Sequence, residues 1–188
     1  MHGYKLLGQM NIVLIGYRCT GKSTTGHALS KRLRMPFFDT DYCIETRLRK
    51  SIKQVVEEGG WPLFRKVERE MIKEVSSKNN VIIATGGGAV LNQENVNDLK
   101  RNGVMVLLEA DVSTIVKRLK EDTKGKDQRP QFTYADLYTE TITVLERRRP
   151  IYRRVADIVL DTSRMSQKEV VEAIVRTIKV GEDEDAGK

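Results

Sequence analysis

The sequence predicts an α/β fold in which helices cover a mainly parallel, five-stranded sheet, giving three layers, α/β/α. Two observations carry this prediction. Short apolar runs of strand length alternate with longer stretches of helical periodicity, as expected for a parallel sheet built from crossover units. Glycine-rich segments also follow two of the apolar runs, where such a sheet would gather the carboxyl ends of its strands.

Five short runs are predicted as strands because they are apolar and are bounded by turn residues or acids. They are residues 11–15, 37–38, 81–84, 104–108 and 158–160. The intervening stretches have helical periodicity, with a break at Gly59-Gly60. The predicted helices cover about residues 23–34, 41–58, 61–75 and 167–180.

The chain is expected to form one domain over residues 1–180, since no repeat or linker divides it. Residues 121–133 are polar and almost free of apolar side chains, which predicts a flexible lid between two helices. The acidic segment 181–188 has no apolar residue larger than alanine and is predicted to be disordered.

Composition limits the class of protein. Hydrophobic residues make up 39% and charged residues 31%, a soluble globular balance. No apolar run reaches the roughly 18 residues that span a bilayer, and no signal peptide is recognisable, so a cytoplasmic protein is expected. The net charge of +7 fits either nucleic acid or small anions as ligands. No aromatic residues interleave the arginine cluster at 147–154 to stack on bases, which disfavours nucleic acid.

The strongest functional signal is a phosphate-binding loop, Gly-x4-Gly-Lys-Ser, at residues 16–23 between a predicted strand and a predicted helix. Its glycines let the backbone curl and point N–H groups at an anion. Lys22 suits the β- and γ-phosphates of a nucleotide, Ser23 offers a hydroxyl to Mg²⁺, and the helix adds its positive end. The residues expected to bind ATP here are Cys19, Thr20, Gly21, Lys22, Ser23 and Thr24.

Two acids, Asp39 and Asp41, follow the second predicted strand. On extended chain they would face the same side, where one could hold the water shell of Mg²⁺ and the other could bind or deprotonate a substrate hydroxyl. If a helix begins here instead, Asp39 is its N-cap and Asp41 lies in its first turn. The residues alone leave both interpretations open.

Four further features have a functional and an ordinary interpretation. The triple glycine after Thr85 either admits another group close to the backbone or is a flexible turn. Arg65 is most simply a solvated helix residue, which Glu68 at i+3 could hold in position. Arg129 fits a cation-delivering lid or a solvated loop, and Arg148 fits a functional cation or a charged helix end.

Taken together, these segments resemble the shikimate kinase family. Six family motifs occur in the family's order and at close to its spacing, within about residues 11–180. They are the phosphate loop at 16–23, F-x-D-x-D at 37–41, F-R-x-x-E at 64–68, T-G-G-G at 85–88, R-P at 129–130 and R-x-P-L-Y at 148–152, where Ile151 replaces the leucine. The resemblance implies a P-loop kinase fold related to nucleoside monophosphate kinases. It also implies transfer of the γ-phosphoryl group of MgATP to the 3-hydroxyl of shikimate, in chorismate biosynthesis.

The resemblance also implies roles for the acceptor side. Asp41 would bind ring hydroxyls of shikimate and act as base for the attacking one. Arg65 and Arg148 would bind the carboxylate, a role that suits paired guanidinium groups. Gly87 would contact a hydroxyl through its backbone, and Glu68 would orient Arg65.

On the donor side the resemblance implies that Ser23 and Asp39 serve Mg²⁺, Asp39 through water. Lys22 and Arg129 would stabilise the charge on the transferring phosphoryl group.

This chain departs from the family pattern at three places, one of which is the lid, where the family's Arg-Pro-Leu-Leu reads Arg129-Pro130-Gln131-Phe132. Asp122-Thr123 stands where the family often has an Arg-Thr pair whose arginine packs on adenine. Arg118 or Arg164 could replace that contact. The phosphate loop carries Arg18, which could add a cation near the phosphates or point to solvent.

Other functions on this scaffold are those of a gluconate or nucleotide kinase, or of a catalytically dead partner. A regulatory or nucleic-acid-binding P-loop protein would be a different class. The paired arginines and the triple glycine argue against a gluconate or nucleotide kinase. The intact phosphate loop and the two acids argue against a catalytically dead partner. We therefore expect a monomeric enzyme with ATP, shikimate and Mg²⁺ as ligands, and neither nucleic acid nor membrane as partner.

Overall fold

The computed structural model describes residues 10–122 and 136–185, where five strands form one sheet and seven α-helices flank it. The strands are β1 (Asn11–Ile15), β2 (Phe37–Asp39), β3 (Ile82–Ala84), β4 (Gly103–Glu109) and β5 (Ile158–Asp161). The helices are α1 (Lys22–Leu33), α2 (Thr40–Leu48), α3 (Ile52–Ser76), α4 (Gln93–Arg101), α5 (Val112–Glu121), α6 (Leu137–Val155) and α7 (Gln167–Asp185).

The sheet has the order β2-β3-β1-β4-β5, and every neighbouring pair is parallel. The carboxyl ends of the strands therefore meet at one edge, and the segments that follow β2, β3 and β1 lie side by side. The consecutive strands β3 and β4 lie on opposite sides of β1, so the strand order reverses there, which opens a crevice at that edge. The predicted fold class is confirmed, and the predicted functional segments share one edge.

Two hydrophobic cores lie on the two faces of the sheet, and β1 contributes to both by alternation. Val13 and Ile15 face one core, which contains apolar residues of α2 to α6. Ile12 and Leu14 face the other, which contains residues of α1 and α7. Each of these four side chains is at most 2% exposed, so each contributes about 1.5–3 kcal/mol by burial. Burial on both faces explains why the run is continuously apolar rather than alternating.

The predicted break at Gly59-Gly60 is a kink inside α3 rather than a loop. Gly60 has φ 69° and ψ −179°, a backbone conformation that glycine tolerates and other residues rarely adopt. Pro62 lies in the first turn after the kink, where its missing N–H costs no helical hydrogen bond. The helix begins at a capping box in which Ser51 and Gln54 each accept from the other's backbone N–H.

The two acids lie at the junction of β2 and α2: Asp39 is the last residue of the strand and has an extended backbone, whereas Asp41 lies in the first turn of the helix. The carboxylate of Asp39 accepts from the backbone N–H groups of Asp41 and Tyr42, at 3.1 and 3.4 Å, and so starts α2. The N-cap interpretation is therefore right, and the expectation of two acids along a strand is wrong. Both acids nevertheless face the functional edge, as shown below.

The C-terminal segment differs from its prediction. Helix α7 continues to Asp185, so residues 181–185 are helical although disorder was predicted from residue 181. Nothing in this stretch stops a helix, since it has no proline and a single internal glycine costs only about 1 kcal/mol. Residues 1–9, 123–135 and 186–188 lie outside the described residues, and with them most of the predicted lid and Arg129. Among the described helices, none has both the length and the hydropathy needed to cross a membrane.

Helix α1 packs closely on β2 through Gly26. A Cβ atom at Gly26 would lie 2.1 Å from the ring of Phe37. We expect Gly26→Ala to destabilise the fold by about 1–3 kcal/mol in urea unfolding, because overpacking outweighs the better helix propensity of alanine. In the Phe37→Leu background the clash is removed, so the double variant Gly26→Ala/Phe37→Leu should be more stable than the single variant Phe37→Leu. A single variant as stable as the wild type would show that this contact does not constrain α1.

Candidate active site

The phosphate loop curls through three residues in the left-handed region, Gly16 (φ 135°), Cys19 (φ 59°) and Gly21 (φ 95°). The Nζ of Lys22 donates to the carbonyl oxygens of Gly16 at 2.9 Å and of Tyr17 at 2.7 Å. Helix α1 has no side-chain cap at its N-terminus, so its first N–H groups remain for an anion. The loop therefore has the geometry of a phosphate cradle.

Ser23 and Asp39 meet beside this cradle. The hydroxyl of Ser23 donates to Oδ2 of Asp39 at 2.5 Å, while Oδ1 of Asp39 caps α2. A hydroxyl and a carboxylate are hard oxygen ligands of the kind that Mg²⁺ takes together with water and phosphate oxygens. No group of three or more His, Cys, Asp or Glu side chains in the described ranges could hold a metal ion by itself. These two residues thus suit a cation that the bound nucleotide helps to ligate.

In the glycine segment after β3, side chains of other residues occupy the space that a Cβ atom would need. At Gly86 a Cβ would lie 2.6 Å from Oδ1 of Asp41 and 2.9 Å from Oε1 of Glu68. At Gly88 it would lie 2.3 Å from Nη2 of Arg65. The interpretation of the triple glycine as a place of close approach is therefore correct for Gly86 and Gly88.

Arg65 is held in place by its neighbours, although its side chain remains 32% exposed. Its Nη1 donates to Oε2 of Glu68 at 2.5 Å, and its guanidinium lies 5.5 Å from the ring of Trp61 and 5.2 Å from that of Phe64. Glu68 is 1% exposed. Burial raises the pKa of Glu68, and the charge of Arg65 opposes that rise. The simpler interpretation of Arg65 as only a solvated helix residue is wrong.

Helix α6 also contacts the glycine segment after β3, at the carbonyl oxygen of Gly87. Nη1 of Arg148 donates to the carbonyl oxygen of Gly87 at 3.3 Å, and the hydroxyl of Tyr152 donates to it at 2.5 Å. Burial raises the pKa of Tyr152 to about 12, which keeps this donor protonated. One carbonyl oxygen thereby fixes the glycine segment to α6 and positions Arg148 at the site.

The loop, the acids, the glycine segment and the arginines surround one cavity of about 540 Å³. Of the residues predicted for the donor side, Cys19, Thr20, Gly21, Lys22, Ser23, Thr24 and Asp39 line it. Of those predicted for the acceptor side, Asp41, Arg65, Gly87 and Arg148 line it. The arrangement can hold a polyphosphate at one end and a small polar anion at the other.

The structure separates the two candidates for the adenine contact. Arg164 is 88% exposed on the turn after β5, 3.7 Å from Asp161, and it is not among the residues that line the cavity. Arg118 lines the cavity and donates to the carbonyl oxygens of Cys19 at 3.2 Å and of Thr162 at 2.7 Å. The structure therefore does not bring Arg164 to the site, although the sequence analysis included it.

Arg18 does not point into solvent. Its side chain is 12% exposed, and it forms an ion pair with Glu140 of α6, which is 1% exposed. The two residues are 122 positions apart in the sequence, so no local sequence pattern could have predicted their pairing. The same holds for Thr162, whose hydroxyl donates to the carbonyl oxygen of Thr20 at 3.1 Å. Trp61, by contrast, lies one helical turn before Arg65. This local spacing could have predicted the contact between the Trp61 ring and the Arg65 guanidinium.

The comparisons with known proteins agree on one family. A family model described as shikimate kinase matches residues 18–179. The shikimate kinase of Syntrophus aciditrophicus strain SB is 42% identical, over 88% of this chain and 89% of the relative. That of Pelotomaculum thermopropionicum is 40% identical, over 90% and 95%. The solved structure of shikimate kinase from Acinetobacter baumannii in complex with shikimate has a TM-score of 0.86 at 28% identity, over 95% of this chain and 98% of that one.

Glu68 should give the stability of the fold a specific pH dependence. Its folded-state pKa is raised above the ordinary value of 4.5, so the wild type should lose stability as pH rises from about 4.5 through the folded pKa. Glu68→Gln lacks this titration. In thermal or urea unfolding between pH 4 and 7, the variant should therefore gain stability relative to wild type as pH rises. The exposed Glu146→Gln serves as the surface reference. A difference between Glu68→Gln and wild type that does not change with pH would contradict the buried charge.

Proposed function

The chain belongs to the shikimate kinase family and is an ATP-dependent kinase, and from this premise we propose the reaction and the role of each site residue. The γ-phosphoryl group of MgATP is transferred to the 3-hydroxyl of shikimate, giving shikimate 3-phosphate and ADP in chorismate biosynthesis. The observation that carries the proposal is the single cavity in which a phosphate cradle faces an acid and two arginines.

The acceptor side suits a polyhydroxylated carboxylate. Arg65 and Arg148 approach the glycine segment from α3 and α6, so two guanidinium groups can hold one carboxylate. Asp41 lies against Gly86, with its Oδ1 buried. Its carboxylate accepts hydrogen bonds from the ring hydroxyls of shikimate. The backbone of Gly87 contacts a further hydroxyl. Glu68 keeps Arg65 in the orientation that this requires.

The donor side suits the phosphates of ATP. Lys22 exchanges its two bonds to loop carbonyl oxygens for the β- and γ-phosphates. Ser23 and Asp39 hold Mg²⁺, which, when bound, neutralises charge on the phosphates. Arg129, outside the described residues, supplies a second cation to the transferring group. We assign the contact to adenine to Arg118, which lines the cavity, and not to Arg164, which does not.

The transfer itself is an in-line displacement. The 3-hydroxyl oxygen bonds to the γ-phosphorus while the bond from phosphorus to the β,γ-bridging oxygen breaks, and ADP leaves. The hydroxyl proton passes to the carboxylate of Asp41. Lys22 and Arg129 stabilise the charge that develops on the phosphoryl oxygens, and the cavity holds both reactants in position.

The arginine cluster at 147–154 is partly engaged within the protein. Arg153 forms a bidentate pair with Glu109, at 3.0 and 2.8 Å, and Arg149 lies 3.9 Å from the same carboxylate. Arg148 faces the cavity. These contacts involve three of the five arginines at 147–154, and we propose that the kinase has no nucleic acid partner. We propose further that it acts as a cytoplasmic monomer.

The substrate is tested by coupled ADP release with Mg²⁺ and ATP against shikimate, quinate, gluconate and nucleoside monophosphates. We expect turnover with shikimate, because the paired arginines require a carboxylate and the acid requires adjacent hydroxyls. Turnover with gluconate or a nucleotide and none with shikimate would refute the assignment.

The role of Asp41 is tested by Asp41→Asn. We expect kcat to fall by about two to four orders of magnitude, the usual contribution of a general base. Equilibrium binding of ATP should stay near the wild-type value, because the phosphate cradle is made by other residues. A variant that turns over at the wild-type rate would remove Asp41 from the proton transfer. A variant that also loses ATP binding would indicate a damaged fold instead.

A further inference from the structure

An ion pair joins the phosphate loop to α6. Arg18 of the loop pairs with Glu140, which lies in the first turn of that helix. Their side chains are 12% and 1% exposed. A carboxylate as deeply buried as that of Glu140 is tolerated only when it is paired and hydrogen-bonded. The pair therefore restrains Arg18 far more than a surface salt bridge would.

Tyr17, the residue before Arg18, is fixed in the same place. Its side chain is 1% exposed and belongs to the core on the α6 side of the sheet. The guanidinium of Arg18 lies 5.5 Å from the centre of the Tyr17 ring. The carbonyl oxygen of Tyr17 accepts from both Lys22, at 2.7 Å, and Thr20, at 2.9 Å. The part of the loop that Arg18 restrains is thus the part that holds the phosphate-binding lysine.

The residue after Arg18 explains why the loop needs such restraint. Cys19 has φ 59°, a left-handed conformation that favours glycine and is strained for a residue with a side chain. Strain of this kind persists only where the surroundings fix the backbone. Two contacts flank it: Glu140 holds the side chain of Arg18 on one side, and Nη1 of Arg118 donates to the carbonyl oxygen of Cys19 at 3.2 Å on the other.

We propose that Glu140 is a positioning residue for the nucleotide. Acting through Arg18, it holds the strained turn of the phosphate loop in the form whose N–H groups and Lys22 meet the phosphates of ATP. It does so from the helix that also carries Arg148, so one rigid element determines the positions of the donor loop and of an acceptor arginine. The proposal rests on the proposed function only in taking ATP as the phosphate donor.

The first test is Glu140→Gln, which keeps the shape and removes the charge. We expect the KM for ATP and the equilibrium Kd for ATP to rise about tenfold, the effect of losing one charge-assisted hydrogen bond. The KM for shikimate should stay within about twofold of wild type. The control is Glu146→Gln, which alters an exposed acid of the same helix and should leave all three constants unchanged. A wild-type Kd for ATP in Glu140→Gln would overturn the proposal, as would a KM for shikimate that rises as much as that for ATP.

A second variant separates positioning from mere stability. Glu140→Gln leaves Arg18 buried without its charge partner and is expected to lower Tm. The double variant Arg18→Met/Glu140→Met removes both charges, and such replacements of buried pairs usually restore stability. We expect Tm to recover while the Kd for ATP stays raised, because the loop is no longer fastened to α6. Recovery of both would show that the pair is a packing contact only. The double variant also answers the question if the single variant does not fold.

Binding of ATP is measured without an acceptor, so the outcomes for the two proposals remain distinct. A wild type that binds ATP but does not phosphorylate shikimate would refute the proposed substrate and leave the role of Glu140 standing. If the wild type phosphorylates shikimate and the Glu140→Gln variant binds ATP normally, the role of Glu140 is refuted and the proposed substrate stands.

Discussion

The close approach of side chains to the glycine segment after β3 is the constraint on which the acceptor side of the site depends. Asp41 and Glu68 occupy the space where Gly86 lacks a side chain, and Arg65 occupies the corresponding space at Gly88. The cost is the conformational entropy of consecutive glycines, which the unfolded chain retains and the fold loses. The benefit is that three charged groups converge on backbone that cannot move aside. Because the segment follows a central strand, its position is fixed by the sheet itself.

The same segment also sets the distance between donor and acceptor. A Cβ at Gly87 would lie 3.5 Å from both the backbone nitrogen of Arg18 and the carbonyl oxygen of Gly16, which is ordinary van der Waals contact. The main chain of the glycine segment therefore runs beside the phosphate loop, with room for about one methyl group between the two. Phosphoryl transfer requires the attacking oxygen and the phosphorus to be held within about 3–3.5 Å. A spacing determined by main chain on both sides holds that geometry better than one determined by long side chains.

The sequence predicted the residues at the ends of strands well, because a strand and its following loop are local features. The phosphate loop and the acids at 39 and 41 could be identified without knowing which strands pair. Even so, the sequence could not decide between strand and helix for Asp41, since that depends on the capping bonds made by Asp39. Arg164 was a candidate because Asp122 stands where the family often has the arginine that packs on adenine, and its exposure on the turn after β5 could not be predicted from the sequence. Glu140 and Thr162 contact the phosphate loop across more than 120 residues, so only the topology reveals them.

The partners of the cavity's cations indicate which of them are fixed and which exchange. Arg18 and Arg65 each pair with a glutamate that is 1% exposed, and leaving such a carboxylate without a partner is strongly unfavourable. Lys22 and Arg148 also donate to neutral acceptors, the backbone carbonyl oxygens of Gly16, Tyr17 and Gly87, which a phosphate or carboxylate can replace. Arg18 and Arg65 are thus preorganised by the protein, and Arg65 keeps the remaining donors of its planar fork for a ligand. Under the proposed function, Lys22 and Arg148 exchange these carbonyl oxygens for the phosphates and the carboxylate of the ligands. Fixing two cations in advance reduces the side-chain entropy lost on binding, and the exchangeable pair places the new bonds where charge moves during transfer.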